Sequence, residues 1–323
     1  MSSKKKNIYT FLGKVILITL LIVLFVRTFL IEPYTVSSTQ MEASLLTGDR
    51  ILIDKTAYGV RLPITILTIP FTFDSFFDMK SYSSAVEIPY KRILEEKVER
   101  NDIILFNNPV EADKPLDKRN LIISRCIALS GDSVQVKNGN FFINDYSYVS
   151  SPNVVDEYIA RISDEELDEA ILESEISVSN RRRSEDTVFL RMSRFDAFVL
   201  NENLVDSVRF VNQIDSIDSY NFLIPYKGKI IDIDARTLSI YGQVILQEQG
   251  TKARLKDDIL YIDNKEQKEY AFEDNYYWVI SDNTTNALDS RTIGFIPFRN
   301  IIGKANMIWY SRDKERCFTK IEK

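Results

Sequence analysis

The chain has 323 residues, 45% hydrophobic and 27% charged, with a net charge of −6. That length and apolar content can bury a real core in one large or two modest domains, while the acidic balance speaks against nucleic acid, whose phosphates need a basic footprint. Histidine is absent from the sequence, which excludes Ser-His-Asp and Cys-His catalysis and disfavours a standard zinc site, yet leaves a Ser-Lys dyad open.

Lys4, Lys5 and Lys6 precede an apolar stretch over 8–31, with a low-polarity core from Val15 to Val26 between Lys14 and Arg27. At about 1.5 Å per residue, Leu12 to Ile31 reaches roughly the 30 Å of a bilayer core. A cleavable signal peptide shares the basic start and apolar centre. Its small-residue cleavage site is missing, because Arg27-Thr28-Phe29-Leu30-Ile31-Glu32-Pro33 follows instead. The expectation is an uncleaved single-pass anchor in the cytoplasmic (inner) membrane. The lysines hold residues 1–7 inside, and the bulk of the chain faces the outer or periplasmic side.

Arg50-Ile51-Leu52-Ile53-Asp54 reads as a strand. The run Leu62 to Phe73 is apolar, β-branched and broken by prolines. It is either a buried strand pair or an exposed surface that dips into the membrane beside the anchor. Asp102 to Pro109 reads as a short buried strand ended by a turn, and Leu121 to Leu129 as another. Cys126 lies in the second and reads as a small core residue, with a disulfide to Cys317 left open. Val134 to Ile143 alternates around Asn138-Gly139, the pattern of a tight hairpin. One helix is expected over 164–175, capped by Ser163 with Glu166 completing a capping box. The rest of 176–272 reads as further short strands, and Arg181-Arg182-Arg183 as a solvated loop.

Four blocks in order carry a resemblance. Phe29-Leu30-Ile31-Glu32-Pro33-Tyr34-Thr35-Val36-Ser37-Ser38-Thr39-Gln40-Met41-Glu42-Ala43-Ser44-Leu45 is similar to R-T-F-x-x-E-P-(apolar)-x-I-P-S-x-S-M-x-P-T-L. Gly48-Asp49-Arg50-Ile51-Leu52-Ile53-Asp54-Lys55-Thr56-Ala57-Tyr58-Gly59 is similar to G-D-R-I-L-V-x-K-x-x-Y-G. Ile122-Ile123-Ser124-Arg125-Cys126-Ile127-Ala128-Leu129-Ser130-Gly131-Asp132 is similar to Y-I-K-R-x-V-G-x-P-G-D. Ser281-Asp282-Asn283-Thr284-Thr285-Asn286-Ala287-Leu288-Asp289-Ser290-Arg291 is similar to G-D-N-R-D-N-S-x-D-S-R, and Gly303-Lys304-Ala305 follows. These blocks resemble the type I signal peptidase family of serine-lysine membrane peptidases. The resemblance implies a mostly β fold: a signal-peptidase-like β-sheet or barrel with an inserted second domain, preceded by one N-terminal transmembrane helix. The corresponding divisions are 32–133 with 273–311 for the core domain, 134–272 for the insertion and 312–323 for a C-terminal tail.

The resemblance also locates the chemistry, and the chemistry is altered. The family nucleophile is the Ser before Met41; here that position is Gln40. The base is the Lys before Arg125; here it is Ser124, whose hydroxyl holds its proton too tightly to serve. The Ser that orients the lysine is here Ala287. Ser38 matches the hydroxyl of the oxyanion hole, a role that is idle without a nucleophile. Arg125 with Asp282, and Asp289 with Arg291, are implied pairs beneath the site. Thr39 and Ser44 are neighbouring hydroxyls, and Lys55, Lys118 and Arg119 are the available cations. In an extended segment, a one-residue slip would turn the side chain to the other face. Asn283-Thr284-Thr285 also matches a glycosylation acceptor, read as coincidental. The expected function is therefore non-catalytic: binding the signal peptides of exported preproteins by strand addition, where the Gln40 amide would offer donors to a bound backbone. An active signal peptidase in the same membrane is a further candidate partner, beside membrane lipids. An active peptidase with unconventional groups and a structural membrane module are the alternatives. No cofactor and no metal are expected.

Overall fold

The computed structural model describes residues 2–68, 75–76, 79–83, 85–137, 140–176, 178, 180–204, 208–212, 220–284 and 287–321. The N-terminal helix runs Ser2–Phe29, starting earlier than the expected 8–31 and ending sooner. It stops there because Ile31 already pairs with Asp54 in a strand. Thr10–Phe29 is long and apolar enough to cross a membrane, and none of it is buried against the rest of the chain. Its last turn is tied down by Lys55, whose Nζ donates to the Arg27 carbonyl at 3.0 Å and pairs with Glu32 at 3.3 Å. A cation there also complements the negative end of the helix.

The body is mostly β, as the sequence suggests. Its central sheet orders the strands Ile31–Thr35, Arg50–Asp54, Ile301–Tyr310, Ile103–Asn107, Leu121–Ala128, Tyr276–Ile280 and Ile296–Pro297. Neighbours are antiparallel. Pro33 is tolerated because its strand lies at the sheet edge, where a missing N–H costs no ladder bond. Gly303 has a steric reason: a Cβ there would collide with the Asp54 carbonyl, so only glycine lets these strands approach. One apolar cluster joins Val36, Met41, Leu45, Ile51, Ile103 and Ile123, and a second gathers Tyr58, Phe106, Cys126 and Val279. Both cysteines are free thiols. The expected tail is part of the fold, since Thr319–Lys320 adds to Ile308 and Met307 as an edge strand.

Between the two halves of this sheet the chain builds two four-stranded sheets. In the first, Ser133–Lys137 pairs with Asn140–Ile143 in the expected hairpin register, Lys137 opposite Asn140; its Asn138-Gly139 turn lies outside the described residues. The second contains Asn180–Ser184, Thr187–Ser193, Val155–Arg161 and Val211–Asn212. Ile127, Ala128, Tyr276 and Trp278 share one apolar cluster with Val134, Ile143 and Phe222, so packing is continuous across position 133.

The helix Asp164–Ser174 forms, with Ser163 accepting from the Glu166 amide. The Ser163 hydroxyl in turn donates to the Glu166 carboxylate at 3.4 Å, a side-chain contact in place of the backbone bond of the expected capping box. Two further helices correct the expectation of short strands only: Arg194–Glu202, capped by Ser193, and Ala235–Gln249, capped by an Asp234–Thr237 capping box. Each buries a stripe at helical spacing, Ala197 and Leu200 in one and Leu238, Tyr241 and Ile245 in the other. Arg181, Arg182 and Arg183 form an exposed edge strand rather than a loop. Arg181 and Arg183 pair with Asp164, and Arg182 stacks on Phe189 at 4.3 Å. Of the apolar run 62–73, Ile64 is buried while Ile66 and Leu67 are exposed; residues 69–73 lie outside the described residues.

Candidate functional site

Gln40 sits on a turn, not an extended segment. The Glu42 amide donates to the Thr39 carbonyl, and the Ser44 and Leu45 amides donate to Met41. Met41 is fully buried and pins this turn into the apolar cluster with Val36 and Ile123. Gln40 itself is 8% exposed. Its Nε2 donates to the Ile123 carbonyl at 2.7 Å, and its own carbonyl accepts from the Asn283 amide at 2.9 Å. The expected donor toward a bound peptide is therefore already engaged inside the protein.

Ser124 is completely buried on the strand Leu121–Ala128. Its Oγ donates to the same Ile123 carbonyl at 2.8 Å and lies 3.3 Å from Ser281 Oγ. The Gln40 and Ser124 side chains thus converge on one carbonyl oxygen. Ser281, which the resemblance passes over, is the buried neighbour whose hydroxyl meets that of Ser124. The signal for it is a departure from the motif, since the fourth block has Gly at that place. Ala287 is half-buried and carries no hydroxyl; Ser38 is half-buried two residues before Gln40.

Beneath these positions lies a charged lattice. Arg125 grips Asp282 with two bonds, Nε to Oδ1 at 2.9 Å and a terminal nitrogen to Oδ2 at 2.8 Å. Burial works against the Arg125 charge, but the hydrogen bonds and charge of Asp282 raise its pKa further above the ordinary arginine value. Ser44 joins this pair, donating to Asp282 at 2.5 Å and accepting from Arg125 at 2.8 Å. Asp289 caps the short helix Ser290–Ile293. It accepts from the Ser281 amide at 2.9 Å and pairs with Arg291 at 2.7 Å. Asn283 is buried and bonds to the Thr39 carbonyl and to Glu42, so its amide is not presented as a glycosylation acceptor. Glu42 also pairs with Arg191 at 2.8 Å, and the Val155 amide donates to the Asp282 carbonyl at 3.0 Å. Thr284 donates to Asp156. The Glu42–Arg191 pair ties the second four-stranded sheet to the turn that holds Gln40, and the other two bonds tie it to residues 282–284, connections no local pattern announces. A cleft of about 420 Å³ lies along this junction, lined by Tyr148, Asp156, Phe198, Ser281 and Asp282 among others.

The remaining cations are elsewhere. Lys55 is anchored to Arg27 and Glu32 at the end of its strand opposite the Gln40 turn. Burial holds its pKa below the ordinary lysine value, against the pull of Glu32. Lys118 is buried against Tyr82, and Arg119 donates to the Lys114 and Pro109 carbonyls.

A family model described as signal peptidase, peptidase S26, matches residues 10–211 and 223–310. The chain belongs to the signal peptidase S26 family. Among its relatives, the signal peptidase I of Buchnera aphidicola subsp. Baizongia pistaciae is 26% identical over 90% of this chain and 73% of its own length. That of Haemophilus influenzae is 25% identical over 92% of this chain and 68% of its own, and that of Aquifex aeolicus 25% identical over 90% and 80%. In this signal peptidase family member the Arg125–Asp282 and Asp289–Arg291 pairs lie near Gln40 and Ser124.

The support extends to Asp49, whose carboxylate accepts from the Leu46 amide, Ser311 and Arg316. Arg316 also donates to the Ser44 carbonyl, clamping the loop that follows Gln40. Burial alone would raise the Asp49 pKa; the bonds from Ser311, Arg316 and Leu46 outweigh it and hold the carboxyl below its ordinary value. A depressed native pKa stabilises the fold above the unfolded value of about 3.9, and that contribution is lost as pH falls through the native value. Wild type should therefore have a higher urea midpoint than Asp49→Asn at neutral pH, and the two should converge toward about pH 2. A gap that stays constant with pH would contradict this.

Proposed function

We propose that this chain is a catalytically impaired signal peptidase I-like membrane protein that binds the signal peptides of exported preproteins without cleaving them. The observation that carries the reading is the chemistry at positions 40 and 124. A Ser-Lys dyad needs a hydroxyl nucleophile beside a neutral amine. Here an amide and a buried hydroxyl occupy those places and spend their protons on the Ile123 carbonyl. Ser44 does not replace the nucleophile, because its hydroxyl is held between Asp282 and Arg125, and the carboxylate it faces is already committed to Arg125. The family's substrates, signal peptides, are the ligands, and membrane lipids surround the N-terminal helix. The helix is read as a single-pass anchor of the cytoplasmic membrane with residues 32–323 on the outer side, on the strength of Lys4–Lys6. Residues 134–272 are read as the inserted domain. Partnership with an active signal peptidase in the same membrane fits this role.

A second reading, a structural membrane module, has one observation in its favour: Gln40, Met41 and Ser124 are buried and fill the site with the protein's own atoms. Titration of the lipid-reconstituted protein separates the two. A signal-peptide analogue with small residues before its cleavage site should bind in the micromolar to millimolar range, about −8 to −4 kcal/mol. The same peptide with Trp at those positions should not bind. Equal binding of both would assign the affinity to the membrane surface and favour the structural module.

A further inference from the structure

The pairing around Ile123 shows what the two substituted side chains do. Strand 121–128 is bonded on one side to strand 103–107. The Cys126 amide donates to the Asp102 carbonyl and the Asn108 amide to the Asn120 carbonyl, so the bonded pairs are the even-numbered residues of strand 121–128, Ser124 opposite Ile104 among them. The backbone groups of Leu121, Ile123 and Arg125 therefore point to the strand's other side. There strand 276–280 pairs as far as Ile280 opposite Arg125. Beyond that the chain turns away: the Ser281 amide goes to Asp289 and the Asn283 amide to Gln40. The sheet thus ends at Ile123, whose carbonyl would be the next acceptor for an added strand. A carbonyl oxygen has two lone pairs. Both are taken, one by Gln40 Nε2 at 2.7 Å and one by Ser124 Oγ at 2.8 Å.

We infer that Gln40 and Ser124 act as a built-in cap on this sheet edge, competing with the backbone N–H of an incoming peptide for the Ile123 carbonyl and so setting the affinity of the site. This rests on the peptide-binding reading above and adds its regulation. An extended peptide adding at this edge has to displace the Gln40 amide before its own N–H can bond. The substitution at position 40 then does more than remove a nucleophile: it places a donor on the acceptor that the ligand needs. Burial keeps the contact out of water, where competition would weaken it.

The test uses the full-length, lipid-reconstituted protein as wild type, Ser124→Ala, Gln40→Met and the double variant. Met keeps the side-chain length and removes the donor; Ser124→Ala is the milder change, should Gln40→Met fold poorly. The probe is a signal-peptide analogue with small residues before the cleavage site, with a set of single backbone N-methylated versions. The double variant should bind the plain peptide roughly ten-fold tighter than wild type, with the single variants between. One N-methylated peptide should lose that gain in the variants while wild type does not distinguish it. Equal affinity across wild type, Ser124→Ala and the double variant would overturn the cap and leave the binding reading standing. So would a gain that survives every N-methylation, since it would come from side-chain volume. No binding to any form would overturn the binding reading, and the cap with it.

Discussion

Replacing Arg125 by Met should lower the stability of the protein by about 3–5 kcal/mol, the cost of stranding a buried charge. The side chains of Arg125 and Asp282 are 9% and 3% exposed. Two bonds join them, Ser44 bridges them, and Arg125 also donates to the Asn101 carbonyl at 3.1 Å. Without the guanidinium, Asp282 loses the partner that offsets its burial. An exposed pair would be worth less than about 1 kcal/mol, so burial decides the size of the effect. Urea unfolding in detergent measures it. Arg125→Met with Asp282→Leu should recover most of the loss, because removing both charges leaves neither stranded. A loss under about 1 kcal/mol for Arg125→Met would mean the pair is solvated. The Val155 amide bond to the Asp282 carbonyl extends the consequence, since the second inserted sheet should loosen with the pair.

Restoring the dyad residues is expected to restore little. Gln40→Ser with Ser124→Lys supplies a nucleophile and an amine, and burial would lower the pKa of a lysine at 124 as a base requires. The geometry stands against it. Position 124 is fully enclosed, with Ser281 Oγ 3.3 Å from the present hydroxyl, so a side chain several atoms longer must displace its neighbours. Ala287 offers no hydroxyl to orient the amine. A misplacement of about 1 Å costs roughly a hundredfold in rate, so the double variant should cleave a preprotein at least about a hundredfold more slowly than an active signal peptidase I. Adding Ala287→Ser should raise the rate. Full activity from the double variant would show that the pocket is still shaped for the dyad and that position 287 is dispensable.

Much of this was legible in the residues. The apolar N-terminal helix, the strands around Ile51, Ile104 and Ile123, and the hairpin of 134–143 each carry a local pattern: apolar length, continuous burial or alternation about a turn. The helices Arg194–Glu202 and Ala235–Gln249 were not read. Their buried stripes are short, and exposed Phe195 and Phe198 blur the amphipathic contrast of the first. The basic triplet reads as a loop on its charge alone, whereas its strand pairing with 187–193 depends on a partner strand. At the site, the motifs named Gln40, Ser124 and Ala287 as substituted. They did not disclose that Gln40 and Ser124 meet on one carbonyl, or that Glu42 reaches Arg191. Those are contacts between residues far apart in the chain, set by sheet register rather than by spacing.

The central question is whether the site cuts peptide bonds. Its most direct test is to incubate the purified, lipid-reconstituted protein with a preprotein and look for the mature product by mass, with an intact signal peptidase I run alongside. The expected result is an uncleaved preprotein at times when the intact enzyme has finished. A product cut at the signal-peptide junction, abolished by Ser44→Ala or Thr39→Ala, would contradict the account and assign the chain a working peptidase site built from other groups.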